Sequence, residues 1–283
     1  EKLQRTFKEN EPEIVFHLAA QPIVRESYLN PRYTYETNVM GTVNVCECIR
    51  ISKFVKSFVN VTTDKVYKNR EWEWGYRENE MLDGYDPYSN SKSCSELVTH
   101  SYINSFFKDM PVAVSTARAG NVIGGGDFAT DRIIPDCIRA MKLNKTIQVR
   151  NPQSIRPYQH VLEPLYIYLL IAMKQYETKQ YSGFYNVGPD DMDCISTGEL
   201  VSLFCEIWGG AAKWQAQCVE GPHEANFLKL DCSRLKTKFD WKPKWHISTA
   251  VEKTIEWTKV YYNGENIKIC MDQQIEEFFN KYR

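Results

Sequence analysis

The sequence predicts an α/β fold: a Rossmann-type parallel sheet, incomplete on its amino-terminal side, with a smaller carboxy-terminal α/β lobe. Two observations predict the sheet. β-Rich apolar runs alternate with helix-length segments over residues 13–118, the pattern of parallel strands joined by crossover helices. The run at residues 13–18 ends in the small-residue turn Ala19-Ala20-Gln21-Pro22, where such sheets open a ligand crevice. A third observation predicts the lobe: beyond Gly124 the alternation loosens.

In chain order, residues 13–18 are the first strand and about 33–52 a helix with Val39, Val43, Cys46 and Ile49 on one stripe. Residues 57–62 are a second strand and 64–85 a long loop. Residues 86–107 are a helix with Pro87 in its first turn. A third strand at 112–118 runs into Gly124-Gly125-Gly126. Later come helices near 133–143, 162–176, 197–208, 248–261 and 271–281, with strands at 147–150 and 184–187. The boundary falls near residue 125, with about 151–190 returning to the first domain. No internal repeat or low-complexity tract is present, so the lobes pack without a flexible linker.

With 283 residues and 43% apolar composition, the chain can bury a large core. A net charge of −1 and a pI near 6.6 create no field that would gather nucleic acid or an anionic membrane. No run reaches the ~18 apolar residues of a membrane span, residues 165–173 being short and core-like, and Glu1-Lys2 begins no signal peptide. The chain reads as cytoplasmic. Nine cysteines, without a repeated C-x-x-C or a histidine cluster, support neither a disulfide framework nor a zinc site and read as reduced thiols. Cys46 and Cys48, two apart on a helix, face different sides.

No G-x-G-x-x-G turn, which would bring backbone to a pyrophosphate, follows the first strand. Gly124 to Gly126 come too late to serve. Because residues 2–10 are helix-like and feed a strand, the expectation is that an amino-terminal segment is missing.

The chemistry concentrates in two strings, Val61-Thr62-Thr63-Asp64-Lys65-Val66-Tyr67 and Tyr88-Ser89-Asn90-Ser91-Lys92. Tyr88 and Lys92, four apart on a helix, share a face. An ammonium beside a phenol favours phenolate, drawing the tyrosine from ~10 towards working pH. Tyr88 is thus a general base for a carbinol proton. Thr63, at the end of a strand, would bond the same hydroxyl if strand and helix are neighbours. Asp64 and Lys65 add an acid and a base that simple alcohol oxidation does not need; otherwise they are a solvated turn pair. Arg118 sits either near phosphates or against a carboxylate. Asn121, Arg132, Arg150, Arg156 and His160 lie in later loops, where arginine forks suit a diphosphate. Trp72 and Trp74 either cover a ligand or partner or make a lobe contact, and no site is assigned to them.

A longer series of motifs surrounds these residues: His17-Leu18-Ala19-Ala20-Gln21-Pro22, Thr37-Asn38-Val39-Met40-Gly41-Thr42, Gly84-Tyr85-Asp86-Pro87-Tyr88, Arg118-Ala119-Gly120-Asn121-Val122-Ile123-Gly124, Asp131-Arg132-Ile133-Ile134-Pro135-Asp136, Ile155-Arg156-Pro157-Tyr158-Gln159-His160-Val161 and His223-Glu224-Ala225. Along nearly its whole length the chain resembles the extended short-chain dehydrogenase/reductase family, and within it the nucleotide-sugar 4,6-dehydratases. Lys65 after Asp64, where dTDP-sugar enzymes carry Glu, is similar to the CDP-sugar branch. The resemblance implies NAD as cofactor and CDP-glucose as substrate. It implies oxidation at C4 with Tyr88, Thr63 and Lys92, loss of water across C5 and C6 through Lys65 and Asp64, and hydride return to C6. It implies a cofactor-binding first domain contacting NAD through Ala19, Ala20, Gln21, Asn38, Thr62, Tyr88, Lys92 and Arg118. It implies a sugar-nucleotide lobe contacting substrate through Asn121, Arg132, Arg150, Arg156 and His223. A homodimer pairing the helices near 33–52 and 86–107 in a four-helix contact, and a role in deoxysugar supply for surface polysaccharides, are implied as well. Two other readings stay open. One is a 4-epimerase or decarboxylase of the same fold, with no use for Asp64 and Lys65; the other is a non-catalytic truncated chain that binds sugar nucleotide or a partner.

Overall fold

The computed structural model describes residues 1–217 and 225–280. In chain order the elements are α1 (Lys2–Asn10), β1 (Ile14–His17), α2 (Val24–Leu29), α3 (Pro31–Tyr35), α4 (Gly41–Ile51), β2 (Ser57–Val61), α5 (Pro87–Ser105), β3 (Ala113–Ala119), β4 (Asn121–Ile123), α6 (Ile133–Lys142), β5 (Ile147–Val149), β6 (Ile155–His160), α7 (Leu162–Glu177), β7 (Gly183–Val187), β8 (Cys194–Ser196), α8 (Thr197–Trp208), β9 (Trp214–Ala216), α9 (Ser233–Phe239), α10 (Ile247–Tyr262) and α11 (Ile267–Asn280). They divide into two units. The first holds Glu1–Ala119, Tyr166–Val187 and Leu230–Trp241; the second holds Gly120–Leu165, Gly188–Lys229 and Lys242–Arg283. None of the described helices is long and apolar enough to cross a membrane.

The first unit is built on a parallel sheet ordered β1-β2-β3-β7. Strand residues alternate between faces, and both faces are covered, as parallel sheets require. Phe58 and Val114 pack with Val45, Cys46 and Ile49 of α4. Val59, Ala117 and Ala119 pack with Ile167, Ile171 and Ala172 of α7. The α7 side also carries a polar clamp, in which Ser57 donates to the Ala172 carbonyl and Gln175 donates to Ser57 and the Phe58 carbonyl.

The helix expected over 33–52 is interrupted by a π turn at Glu36–Met40 between α3 and α4. The wider turn shifts the inward face by one residue, a common device near functional sites. Thr34, Asn38, Thr42, Val45 and Ile49 are buried, whereas Val39 and Val43 of the expected stripe are only half-buried. Both Cys46 and Cys48 are buried, because α4 is covered on more than one side. All described cysteines are free thiols.

The second unit pairs β4 with β6 in parallel and β6 with β8 antiparallel; β5 and β9 form a separate parallel pair. Its core joins α6, α8 and α10 through Ile134, Cys137, Leu200, Phe204, Ala250 and Val251. Strand β6, Ile-Arg-Pro-Tyr-Gln-His, has no readable strand period, and its extended form is set by β4 and β8 on either side. A Cβ on Gly125 would lie 2.0 Å from the Trp257 ring, so this glycine serves close packing.

Gly84 has a similar constraint: a Cβ there would meet the Ser89 carbonyl carbon at 2.3 Å, in the first turn of α5. Gly84→Ala should lower stability by about 1–3 kcal/mol, the range for overpacking, read as a lower melting temperature.

Two buried groups at the start of α7 titrate with opposite sign. Burial beside Trp245, with Lys253 nearby, holds the His160 imidazole down to about 4. Folded His160 is therefore neutral where the unfolded chain protonates, near ~6.5, and stability from it is lost as pH falls from there to 4. Burial raises Glu163 to about 7 although the Lys244 and Trp245 amides donate to it. Its contribution is full below the ordinary carboxylate range and is lost as pH rises through 7. Thermal melts across pH 4–8 should show the acid-side slope flattened in His160→Gln and the neutral-side slope flattened in Glu163→Gln.

Candidate active site

Helix α5 organises the site. The Asp86 carboxylate caps it by accepting from the Ser89 amide, and Pro87 occupies the first turn. Spacing of four then brings Tyr88, Lys92 and Glu96 onto one stripe, and all three are buried. Lys92 Nζ donates to the Val61 carbonyl at the end of β2, 3.1 Å away. An ammonium has three donors, and this is the one bond that Lys92 makes among the described residues, so two donors remain. Burial pushes Lys92 down to about 8, against the charge of Glu96, which pulls it up.

Immediately after β2, Thr63 caps a single 3₁₀ turn, Asp64–Val66. Thr63 Oγ1 and Lys65 Nζ both donate to Asp64 Oδ1, each at 2.9 Å. Asp64 is 0% exposed, and its Oδ2 has no hydrogen-bond partner among the described residues. The pair is therefore no solvated turn. Ser93 of α5 donates to the Val66 carbonyl at 2.7 Å and ties the turn to the helix bearing Tyr88. All five expected catalytic residues thus belong to the first unit, on β2, its following turn and α5.

The expected cofactor contacts divide. Ala19 and Ala20 leave a small, open turn after β1. The side chains of four others bond within the fold. Gln21 bonds Ile23 and Thr34. Asn38, aimed inward by the π turn, accepts from the Gln21 amide and donates to the Gln21 carbonyl and Ser91. Thr62 Oγ1 donates to Glu96. Arg118 lies under the sheet and donates to Glu96 at 2.9 Å and to Tyr67 and the Glu78 carbonyl. The carboxylate alternative for Arg118 is the one observed. These bonds shape the turn and the strand ends. Glu96 itself was not singled out from the sequence, although its place one turn beyond Lys92 was the signal.

In the second unit the arginines separate by partner. Arg132 pairs with Asp127 at 3.0 Å and Arg150 with Asp131 at 2.6 Å, so both charges are already met. Arg156 is buried; among the described residues it donates to the Ile155 and Ala225 carbonyls and pairs with no carboxylate. Such a guanidinium suits an anionic ligand. Asn121 lies on β4 beside Tyr158 of β6. His160 is a core histidine against Trp245. His223 lies outside the described residues. Trp72, in the first unit, stacks on Tyr76, which stacks on Tyr67.

This arrangement has recognisable relatives. Residues 1–254 match the family described as GDP-mannose 4,6 dehydratase. The CDP-glucose 4,6-dehydratase of Salmonella typhimurium is 46% identical over 286 aligned residues, 99% of this chain and 80% of that protein. Among solved structures, a UDP-glucose 4-epimerase of Thermotoga maritima superposes with a TM-score of 0.81 at 22% identity, over 92% of this chain and 82% of that one. A dTDP-glucose 4,6-dehydratase of Bacillus anthracis, in complex with NAD, gives 0.76 at 22% identity, over 91% and 76%. The two structures share the fold; the family match and the Salmonella relative carry the membership, and the chain belongs to the GDP-mannose 4,6 dehydratase family, within the extended short-chain dehydrogenase/reductases.

Proposed function

We propose that the chain dehydrates CDP-glucose to CDP-4-keto-6-deoxyglucose. The observation that carries this reading is the buried Asp64, bonded to the half-buried Lys65 and to Thr63 and tethered to the helix of Tyr88 and Lys92. The 46% identity to a CDP-glucose 4,6-dehydratase supports both the reaction and the base. Ala19, Ala20, Tyr88 and Lys92 fit a nicotinamide riboside, given the open small-residue turn and the remaining donors on Lys92. Bound NAD supplies the hydride acceptor at C4 and the hydride donor at C6.

The residues move the protons. Tyr88, kept as phenolate by the Lys92 ammonium, accepts the proton of the sugar 4-hydroxyl, which Thr63 orients. The resulting C4 ketone acidifies C5–H. Lys65 and Asp64 are in direct hydrogen-bond contact at 2.9 Å. Passage of one proton from Lys65 Nζ to Asp64 turns the ion pair into a neutral amine and a carboxylic acid, providing base and acid together without net charge. Lys65 removes the C5 proton, and Asp64 protonates the departing 6-hydroxyl as water. Lys65 then returns its proton to C5 as C6 is reduced. At the end Tyr88 holds one more proton and Lys65 one fewer than in the resting ion pair, and exchange between them restores the start.

The nucleotide is assigned to Asn121, Arg132, Arg150, Arg156 and His223. Arg156, the arginine without a carboxylate partner among the described residues, is the strongest of these for the diphosphate. Exposed Tyr33, Met40, Ile51, Leu97 and Phe106 on and beside α3, α4 and α5 support a homodimer through a four-helix contact. A cytoplasmic enzyme of deoxysugar synthesis for surface polysaccharides is the setting.

Mass spectrometry of reactions with NAD and CDP-glucose, dTDP-glucose, UDP-glucose or GDP-mannose should show loss of one water from CDP-glucose alone. Intact or merely epimerised products throughout would sink the reading. Asp64→Asn should stall after oxidation, with turnover reduced at least about 10²-fold and reduced cofactor accumulating by absorbance. An epimerase would scarcely respond to that substitution.

A further inference from the structure

We infer that Glu96 is a positioning residue: it holds Thr62, and through it Thr63, at the end of β2, and it sets its carboxylate one helical turn beyond Lys92. The inference rests on the dehydratase reading where it gives Tyr88 and Lys92 their proton-transfer roles.

Glu96 is 1% exposed, and its two oxygens serve different elements. Oε1 accepts from Thr62 Oγ1, next in sequence to Thr63. Oε2 accepts from Thr116 at 2.8 Å and from Arg118 at 2.9 Å, both on β3. A carboxylate needed only to neutralise Arg118 would have no reason to reach β2. Its other neighbour is Lys92, one helical turn before it, where Glu96 is the charge that opposes the effect of burial. Among the described residues the other charged or titratable groups around this stripe are Tyr88 on α5, His17 at the end of β1, Asp64 and Lys65 after β2, Tyr67 and Glu78 in the following segment, Arg118 on β3 and Tyr168 on α7, which faces Tyr88. His17 is held neutral by burial and by Lys92 itself. Asp64 is taken by Lys65 and Thr63. Glu78 also acts on Arg118, whereas for Lys92 the opposing charge is Glu96, one helical turn along α5. Without it, burial of Lys92 would act unopposed, and the relief is loss of the Lys92 proton, since the guanidinium of Arg118 does not deprotonate.

The test uses the full-length protein with Glu96→Gln, Glu96→Asp, Thr62→Val and Thr62→Ser. NMR titration of labelled lysine side chains without substrate reads Lys92 directly. Glu96→Gln should lower its midpoint by about one pH unit, a tenfold loss of proton affinity, and move the alkaline limb of kcat/KM down by the same amount. Glu96→Asp, which keeps the charge, should restore both. Thr62→Val should lower kcat about tenfold at unchanged KM, with Thr62→Ser recovering it. A folded Glu96→Gln with an unmoved Lys92 midpoint and wild-type pH limbs, even with a lower melting temperature, would reduce Glu96 to a structural residue and overturn the inference. If Glu96→Gln does not fold, Thr62→Val decides alone, and wild-type kcat overturns the inference. If the wild-type protein dehydrates no sugar nucleotide while Glu96→Gln still shifts Lys92, the dehydratase reading falls and the charge assignment stands.

Discussion

Beneath the carboxyl ends of β2 and β3 a carboxylate and a guanidinium are buried together, Glu96 from α5 and Arg118 from the sheet. Burying two charges is expensive, and the net gain of such a pair over apolar side chains is small. Removal of one partner, however, costs about 3–5 kcal/mol, because the other is left uncompensated. The network extends from there. Arg118 bonds Tyr67; Tyr67 donates to Asn186 on β7 at 2.6 Å; Asn186 donates to the Tyr76 and Asp231 carbonyls. One ion pair thus fixes the strand ends, the irregular segment after Asp64–Val66 and the approach to α9. The specificity of this packing is directional, as hydrogen bonds are, and the active residues inherit it.

The two faces of the sheet accordingly do different things. Towards α7 the residues are mainly apolar, and packing governs. Towards α5 lie Asn60, Thr62, Thr116 and Arg118, bonded to Ser95, Glu96 and Thr99. A polar face of this kind pins helix to sheet in a single register, which is what a site built from one residue on each element needs. The π turn contributes to the same end, because it directs Asn38 onto the Gln21 backbone and onto Ser91. Dihedral freedom is removed from the turn after β1 without any side chain of that turn being large.

In the second unit, electrostatics discriminates among residues that look alike in the sequence. Arg132 and Arg150 each meet an aspartate of the segment that follows the glycines. Arg156, held by carbonyl oxygens alone, keeps an uncompensated charge among the described residues. Gly124 and Gly125 are there because Val161 and Trp257 occupy the space a side chain would need, and Gly126 because its φ is +81°.

By itself the sequence determined the alternation of strands and helices in the first unit, the start of α5 at Asp86 and Pro87, and the Tyr88–Lys92 and Thr63–Asp64–Lys65 sets. These are local properties: a hydrophobic period, a capping side chain, a spacing of four on a helix. Strands β4, β6, β8 and β9 were not legible, because each is three to six residues long and is extended only by its neighbours. The π turn was hidden in an unbroken helical pattern. Tertiary structure alone decided the long-range partners of Arg118, Asn38, Gln21, Thr62 and Glu96, since these lie 13 to 53 positions away in the chain. For the same reason it alone decided that Asp64 lies fully buried with one oxygen unpartnered among the described residues, a state set by the surrounding packing and absent from any local pattern.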